Sequence, residues 1–226
     1  MGETRILAIP DTHFPFVDCK RLGELIYIAN DLQPTHIVQI GDLMDFYNYS
    51  RFPTSPNVAM PHVEVREGKW MAGDMWEKLK KAVPSAQRFQ LYGNHEDRPW
   101  KQIMRAAPAL EEFLKAPLQS LLEYPGVTTL GSSLDELYIN DQIFHHGWST
   151  QPGFHVGYFQ KSVVHGHTHR GNVTYVRKDN KTLFELDCGI LADYMARPMV
   201  YRSTMTCKWT PGFGWIDDLG PRFCPL

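Results

Sequence analysis

At 226 residues, 43% of them hydrophobic and 21% charged, the chain has material for one globular domain spanning residues 1–226, and too little for a second full domain. A formal charge of −2 excludes a global basic field, although a local basic groove is compatible with it. The four cysteines, Cys19, Cys188, Cys207 and Cys224, form no Cys-x-x-Cys pair, which favours free thiols in a reducing, cytoplasmic setting.

Arg5 to Ile9 is a short, almost wholly apolar run stopped by Pro10-Asp11, which predicts a strand buried on both faces. The run is too short for a signal-peptide core or a membrane span, and no membrane segment is expected. Asp18 caps a predicted helix in which Cys19, Leu22, Leu25, Ile26, Ala29 and Leu32 recur at helical spacing before Pro34. His36 to Ile40 is a second buried strand, so residues 5–42 form a βαβ unit whose parallel strands end on one edge. That edge, where open α/β sheets collect ligands, carries Asp11-Thr12-His13 and Gly41-Asp42.

The segment from Phe46 to Glu67, with Tyr47, Tyr49, Arg51, Phe52 and four prolines, reads as irregular, either folding over the edge or pinned to the body by its aromatic residues. A second helix is marked by Met71, Met75, Leu79 and Ala82, with Lys78, Lys80 and Lys81 on its wet face. Arg88 to Tyr92 is a third strand and delivers Gly93-Asn94-His95-Glu96 to the same edge. Residues 98–123, interrupted by Pro99, Pro108 and Pro117, are expected to form short scaffold helices.

From Val127 onward the runs shorten and become β-like, and a second sheet is expected to begin there. Strands are predicted at Val127 to Leu130, Glu136 to Ile139 and Gln142 to His145. Val163 to His169 follows, then a hairpin of Val173 to Arg177 and Leu183 to Asp187 around Asp179-Asn180. The tail with Trp209 and Trp215 is expected to close a sheet edge.

Gly41-Asp42 alone would read as an ordinary turn. Successive strands that each end in a metal-competent cluster call for a common explanation. In order, the clusters are Asp11-x-His13, Gly41-Asp42-x-x-Asp45, Gly93-Asn94-His95-Glu96, His146-Gly147 and Gly166-His167-x-His169. This set resembles the calcineurin-like metallophosphoesterase superfamily, with all five blocks in order over most of the chain.

The resemblance implies an α/β fold, a two-layer β-sandwich flanked by helices in αββα order, with two divalent metal ions between strand ends. Asp11, His13, Asp42 and His169 would hold one metal, and Asp42, Asn94, His146 and His167 the other, with Asp42 shared. Imidazole and carboxylate ligands suit manganese, taken first, with iron, zinc or cobalt as alternatives. The implied reaction is hydrolysis of a phosphodiester or phosphomonoester by hydroxide generated between the metals. His95 would assist the leaving oxygen, oriented by Asp45.

Phe46-Tyr47 stands where the Ser/Thr protein phosphatases of that superfamily have Arg-Gly, which lowers the protein-phosphatase alternative. Of the adjacent His145 and His146, strand alternation lets only one ligate; the resemblance implies His146, which precedes Gly147 as in that family, and His165 is assigned a packed or supporting role. Nucleotides or nucleic-acid ends are the expected substrates, with no obligate protein partner, and a non-catalytic binding module on the same fold is the alternative from a different class. Arg51, Arg98, Arg170, Tyr47, Trp148 and Asn94 lie near the motifs as candidate substrate contacts, with surface or core roles equally open to the three arginines, Tyr47 and Trp148.

Overall fold

The apolar runs form two sheets in the computed structural model, which describes residues 3–51, 60–196 and 208–226. The chain order is β1 (Ile6–Ile9), α1 (Cys19–Leu32), β2 (His36–Gln39), α2 (Pro61–Ala82), β3 (Gln87–Gln90), α3 (Asp97–Ala106), α4 (Glu111–Ser120), β4 (Thr128–Thr129), β5 (Leu137–Ile139) and β6 (Gln142–Phe144). It continues with α5 (Phe154–Phe159), β7 (Ser162–His165), β8 (Asn172–Lys178), β9 (Lys181–Asp187), β10 (Gly212–Asp217) and β11 (Gly220–Pro225). The first sheet is ordered β11-β10-β1-β2-β3-β4, and the second β5-β6-β7-β9-β8.

β1 through β4 run parallel, and so do β6, β7 and β9. Alternation along the strands explains the layers. Ile6 and Ala8 face inward with Val38, Ile40 and Leu91 to meet Phe144, Val164 and Leu186 of the second sheet. Leu7, Ile9 and Ile37 face the other way, against Leu25 and Ala29 of α1 and Met75 and Leu79 of α2. On the far side Ile143 and Val163 pack on Val156 of α5. The result is a mixed α/β fold of two sheets flanked by helices, as expected from the sequence.

Asp18 caps α1 as predicted, its carboxylate accepting the backbone N–H groups of Lys20 and Arg21. The β8–β9 hairpin turns at Asp179 with φ 52°, and β11 lies at the edge of the first sheet.

Three expectations need correction. The segment read as irregular through Glu67 is helical from Pro61, and residues 52–59, Phe52 among them, lie outside the described residues. Pro61 opens α2 in the position where a missing N–H costs nothing. Its buried stripe starts with Glu64, Gly68 and Ala72, residues that give no apolar periodicity. Gly68 packs directly against Met44: a Cβ there would stand 2.8 Å from Met44 Sδ, and that side chain would have to move. Second, β4 pairs in parallel with β3, Phe89 opposite Thr128, so the first sheet continues past Val127 and the second begins at β5. Third, α5 was not predicted; its six residues are too few to display a helical period.

Candidate metal centre

The carboxyl ends of β1, β2 and β3 and of β6 and β7 meet at one edge, and hydrogen bonds between their exit loops fix the meeting. His13 N donates to Asp42 O (3.0 Å) and Phe14 N to Leu43 O (2.7 Å), which joins the first two loops. His167 N donates to both Asp11 carboxylate oxygens (3.2 and 3.0 Å), joining the second sheet to the first. The approach is close enough to require glycine at two points: a Cβ on Gly93 would collide with the Asp42 carboxylate, and one on Gly166 with that of Asp11.

The metal-competent atoms of Asp11, His13, Asp42 and His169 all lie within 4.8 Å of one another. His169 Nε2 stands 2.8 Å from Asp11 Oδ2 and 3.3 Å from His13 Nε2. On the other side of Asp42, His146 Nε2 lies 3.3 Å from Asp42 Oδ2 and 3.2 Å from Asn94 Oδ1, which is 2.9 Å from His167 Nδ1. Asp42 therefore touches both halves. His13, Asp42, His167 and His169 all have positive φ, between 49° and 67°, in a conformation that non-glycine residues adopt at an energetic cost.

The inner hydrogen bonds set which ring atoms face inward. His146 Nδ1–H donates to Ile40 O (2.9 Å), and His13 Nδ1–H to Asp45 Oδ1 (3.0 Å), so each turns its Nε2 toward its neighbours. Ring nitrogens of His13, His169, His146 and His167 and the Asn94 side-chain oxygen thus converge with two carboxylates. Buried carboxylates set so close together need positive charge between them.

The proton equilibria show the same demand. Burial would raise the Asp42 carboxyl, but His146 and His95 bring it well below the usual range. Burial would lower His146, yet the Asp42 carboxylate pushes it up to about 10, while burial and the His146 charge take His167 down to about 4. The oxygen and nitrogen donors, with no thiolate, fit borderline or hard divalent cations, and these buried His and Asp groups can hold metal ions.

His95 borders the cluster, with Nε2 3.6 Å from Asp42 Oδ2. Its Nδ1–H donates to the Asp45 carbonyl (2.8 Å), with the Asp45 carboxylate at 3.1 Å. Asp45 is shared between His13 and His95; burial would raise its carboxyl, and hydrogen bonds from the two rings hold it well below the ordinary range. Arg98 donates to the Asp45 carbonyl (2.9 Å) and to His95 Nε2 (2.6 Å).

His145 is turned away from the cluster. Its Nδ1 accepts from Gly147 N (2.8 Å), its ring meets Trp148 and Phe159, and burial with the His146 charge lowers it to about 4. His165 joins a separate buried group with His155 and Glu185. There His155 Nε2 accepts the backbone N–H groups of Trp148 (3.2 Å) and Ser149 (3.4 Å), so its proton sits on Nδ1, facing Glu185 Oε2 at 3.5 Å. A protonated nitrogen is not a metal ligand, and through His155 Nε2 this group supports the 147–149 segment.

Of the candidate substrate contacts, Asn94, Arg51, Arg98 and Trp148 line a cavity of about 470 Å³ beside the cluster. Tyr47 does not line it, whereas Tyr49 does. Arg170 is not brought there either, because its guanidinium donates to Thr150 O (3.1 Å) in a separate small cleft.

Sequence reasoning missed the role of Glu96. Its buried carboxylate accepts backbone N–H groups from Asp42 (2.9 Å), Met44 (2.8 Å) and Gly93 (2.7 Å), tying the second and third loops together. Burial and the Asp42 charge push its pKa up to about 7. Its place in the Gly-Asn-His-Glu cluster was the available signal. Glu64 is the other omission, accepting from Asn48 N (3.2 Å) and Asn48 Nδ2 (2.6 Å) across 16 residues with no local mark in the sequence.

No family model matches the chain. Among curated proteins it is 29% identical over 243 residues to the Gene 54 protein of Mycobacterium phage D29, covering 98% of this chain and 93% of that protein. It is also 29% identical over 255 residues to the Gene 54 protein of Mycobacterium phage L5, covering 98% and 91%. Among solved structures it is similar to YfcE, a phosphoesterase from E. coli, with a TM-score of 0.43 and 15% identity over 95% of this chain and 89% of that one. Vacuolar protein sorting 29 from Cryptosporidium parvum gives a TM-score of 0.47 and 16% identity, covering 95% and 85%. A single mutant of Vps29 from Entamoeba histolytica gives 0.44 and 12%, covering 94% and 84%.

Proposed function

We propose that the chain is a single-domain phosphohydrolase of the calcineurin-like metallophosphoesterase kind, acting on phosphodiesters or phosphomonoesters with two divalent metal ions. The observation that carries the reading is the position of Asp42, whose carboxylate belongs to the group with Asp11, His13 and His169 and also lies 3.3 Å from His146 on the other side. Asp11, His13, Asp42 and His169 would hold one ion, and Asp42, Asn94, His146 and His167 the other. Bound there, two such ions, manganese first among the candidates, supply Lewis-acid polarisation of the phosphoryl group and lower the pKa of a water.

The protein's own groups do the rest. Asn94 and Arg98 line the cavity beside the cluster and would orient phosphoryl oxygens. His95 presents Nε2 to the site while Nδ1–H is held by the Asp45 carbonyl, so Nε2 is the atom that would pass a proton to the leaving oxygen. In the structure that atom accepts from Arg98, so delivery requires the ring to take up a proton and Arg98 to let go. Nucleotides or nucleic-acid ends are the substrates that fit the cavity's cationic and aromatic lining, in a cytoplasmic setting.

The test is metal content measured with hydrolysis of bis(p-nitrophenyl) phosphate and p-nitrophenyl phosphate in manganese. Two ions per chain and activity abolished by chelation are expected. Asp42→Asn, which removes a charge from both halves, should lose more metal than any other single ligand substitution. A chain that binds no metal and hydrolyses neither ester would overturn the reading and leave a binding module; two ions retained in Asp42→Asn at wild-type affinity would overturn the shared-ligand assignment.

A further inference from the structure

The cavity beside the candidate metal centre has two unlike walls. One is α3, which presents Arg98, Lys101, Gln102 and Arg105 to it, the i, i+3, i+4 and i+7 positions of a single helix face. Arg51 adds a cation from another segment, and no acidic side chain lines the cavity among the described residues. In a chain of formal charge −2, four cations and no carboxylate around one cavity is a concentrated field beside the metal-competent cluster.

The other wall is aromatic. Trp148 lines the cavity and is 42% exposed, its ring held edge-on by Phe154, Tyr158 and Phe159. Tyr49 lines the cavity as well.

The length of the cationic wall discriminates between ligands. From Arg98 to Arg105 the helix advances about 10 Å, well beyond the reach of one phosphoryl group. A single phosphoryl group needs only the cation nearest the metals, Arg98, which is already bonded to His95 and Asp45. Lys101 pairs with the half-buried Asp97 at 3.0 Å, but its own side chain is exposed, and Asp97 keeps the Ser133 hydroxyl as a partner when a phosphate takes the lysine. Arg105 makes no ion pair among the described residues.

We propose that this cavity binds a single-stranded nucleic acid, with Arg98, Lys101 and Arg105 following successive phosphates away from the metal centre and Trp148 stacking a base. A cationic track with an aromatic platform is the arrangement that holds single strands with little sequence preference. This rests on the phosphoesterase reading for the phosphate placed at the metals, while the track itself is a binding feature that can be measured without hydrolysis.

The experiment is fluorescence anisotropy of labelled hexathymidylate and hexauridylate with the full chain in EDTA, between 50 and 200 mM salt. Three phosphate contacts predict a slope of log K against log salt of about −2, or roughly a twentyfold loss over that range. Lys101→Gln with Arg105→Gln should weaken binding at least tenfold at the lower salt and bring the slope near −0.7. Trp148→Ala should weaken it about tenfold without changing the slope. Lys78→Gln with Lys80→Gln, on the exposed face of α2, is the charge-matched control and should bind like wild type.

Hexathymidylate and hexauridylate both binding no tighter than their mononucleotides would overturn the proposal. So would a double variant in α3 that binds either strand as wild type does, or equal affinity for a doubly phosphorylated peptide. Strand binding with no hydrolysis of bis(p-nitrophenyl) phosphate in manganese would support the track and refute the proposed enzyme; hydrolysis without strand binding would do the reverse.

Discussion

His95 is held at three points, by Asp45 through Nδ1, by Arg98 at Nε2 and by its backbone N–H on Asp42 Oδ1 at 2.9 Å, and it is not needed to complete either half of the cluster. His95→Ala should therefore keep both metals and lose help for the leaving oxygen. The rate should fall on the order of 10² to 10⁴ for an alkyl ester and much less for a nitrophenyl ester, whose leaving group departs unaided. Parallel kcat measurements with metal content determined decide it, and equal loss on both esters would show a different role.

Glu96 makes a separate test of positioning. Glu96→Ala would leave three backbone donors, those of Asp42, Met44 and Gly93, without their acceptor. A single unsatisfied buried group costs about 1–3 kcal/mol, so the variant should be destabilised by several kcal/mol and lose metal. Glu96→Gln keeps one oxygen, which can serve the two donors now shared by Oε2, and its loss should be smaller in urea melts and metal titration alike.

Among the elements, α2 is more than a cover for the first sheet. Glu64, fully buried in its first turn, holds the 46–48 turn just after Asp45 through the backbone N–H groups of Tyr47 and Asn48 and the Asn48 side chain. Burial raises its carboxyl against those three donors, and buried donors of this kind are costly to leave unmade. Glu64→Ala should lower stability by about 2–3 kcal/mol, seen as a lower urea midpoint with an unchanged m-value. It should also raise KM for substrates that reach Tyr49 and Arg51 at the cavity wall. A midpoint within error of wild type would show that the turn is held by other contacts.

For the molecule as a whole, the metal-competent cluster is a join between two sheets. Asp11, His13, Asp42 and Asn94 come from the first sheet, and His146, His167 and His169 from the second, so an ion bound to both clamps the sandwich along its open edge. Metal at about 100 times its Kd would add about 2.7 kcal/mol of stability. At about 2–4 °C per kcal/mol for a chain of this size, chelation should lower Tm by roughly 5–10 °C. Scanning calorimetry with and without EDTA measures it, and an unchanged Tm would mean that metal adds nothing to the join the core and the loop hydrogen bonds already make. Among the described residues no helix is long and apolar enough to cross a membrane.

The sequence by itself determined the strands and where they end. Ile6–Ile9, His36–Gln39 and Ser162–His165 are apolar runs too short to be anything else, and a polar cluster after each marks the exit edge. Alternation sends the neighbours His145 and His146 to opposite faces, but it was the resemblance, through the Gly147 that follows, that chose His146. The tertiary structure decided what has no local period. α2 begins at Pro61 and buries Gly68 against Met44, although its first buried residues are Glu, Gly and Ala. β4 belongs to the first sheet because it pairs in parallel with β3, a long-range contact. Glu96, Glu64 and Glu185 are buried carboxylates whose partners are backbone N–H groups, and a backbone donor leaves no trace in a string of side chains. The same limit applies to Arg98, Arg105 and Trp148, which share a cavity only because α3 and the segment after β6 are folded to face each other.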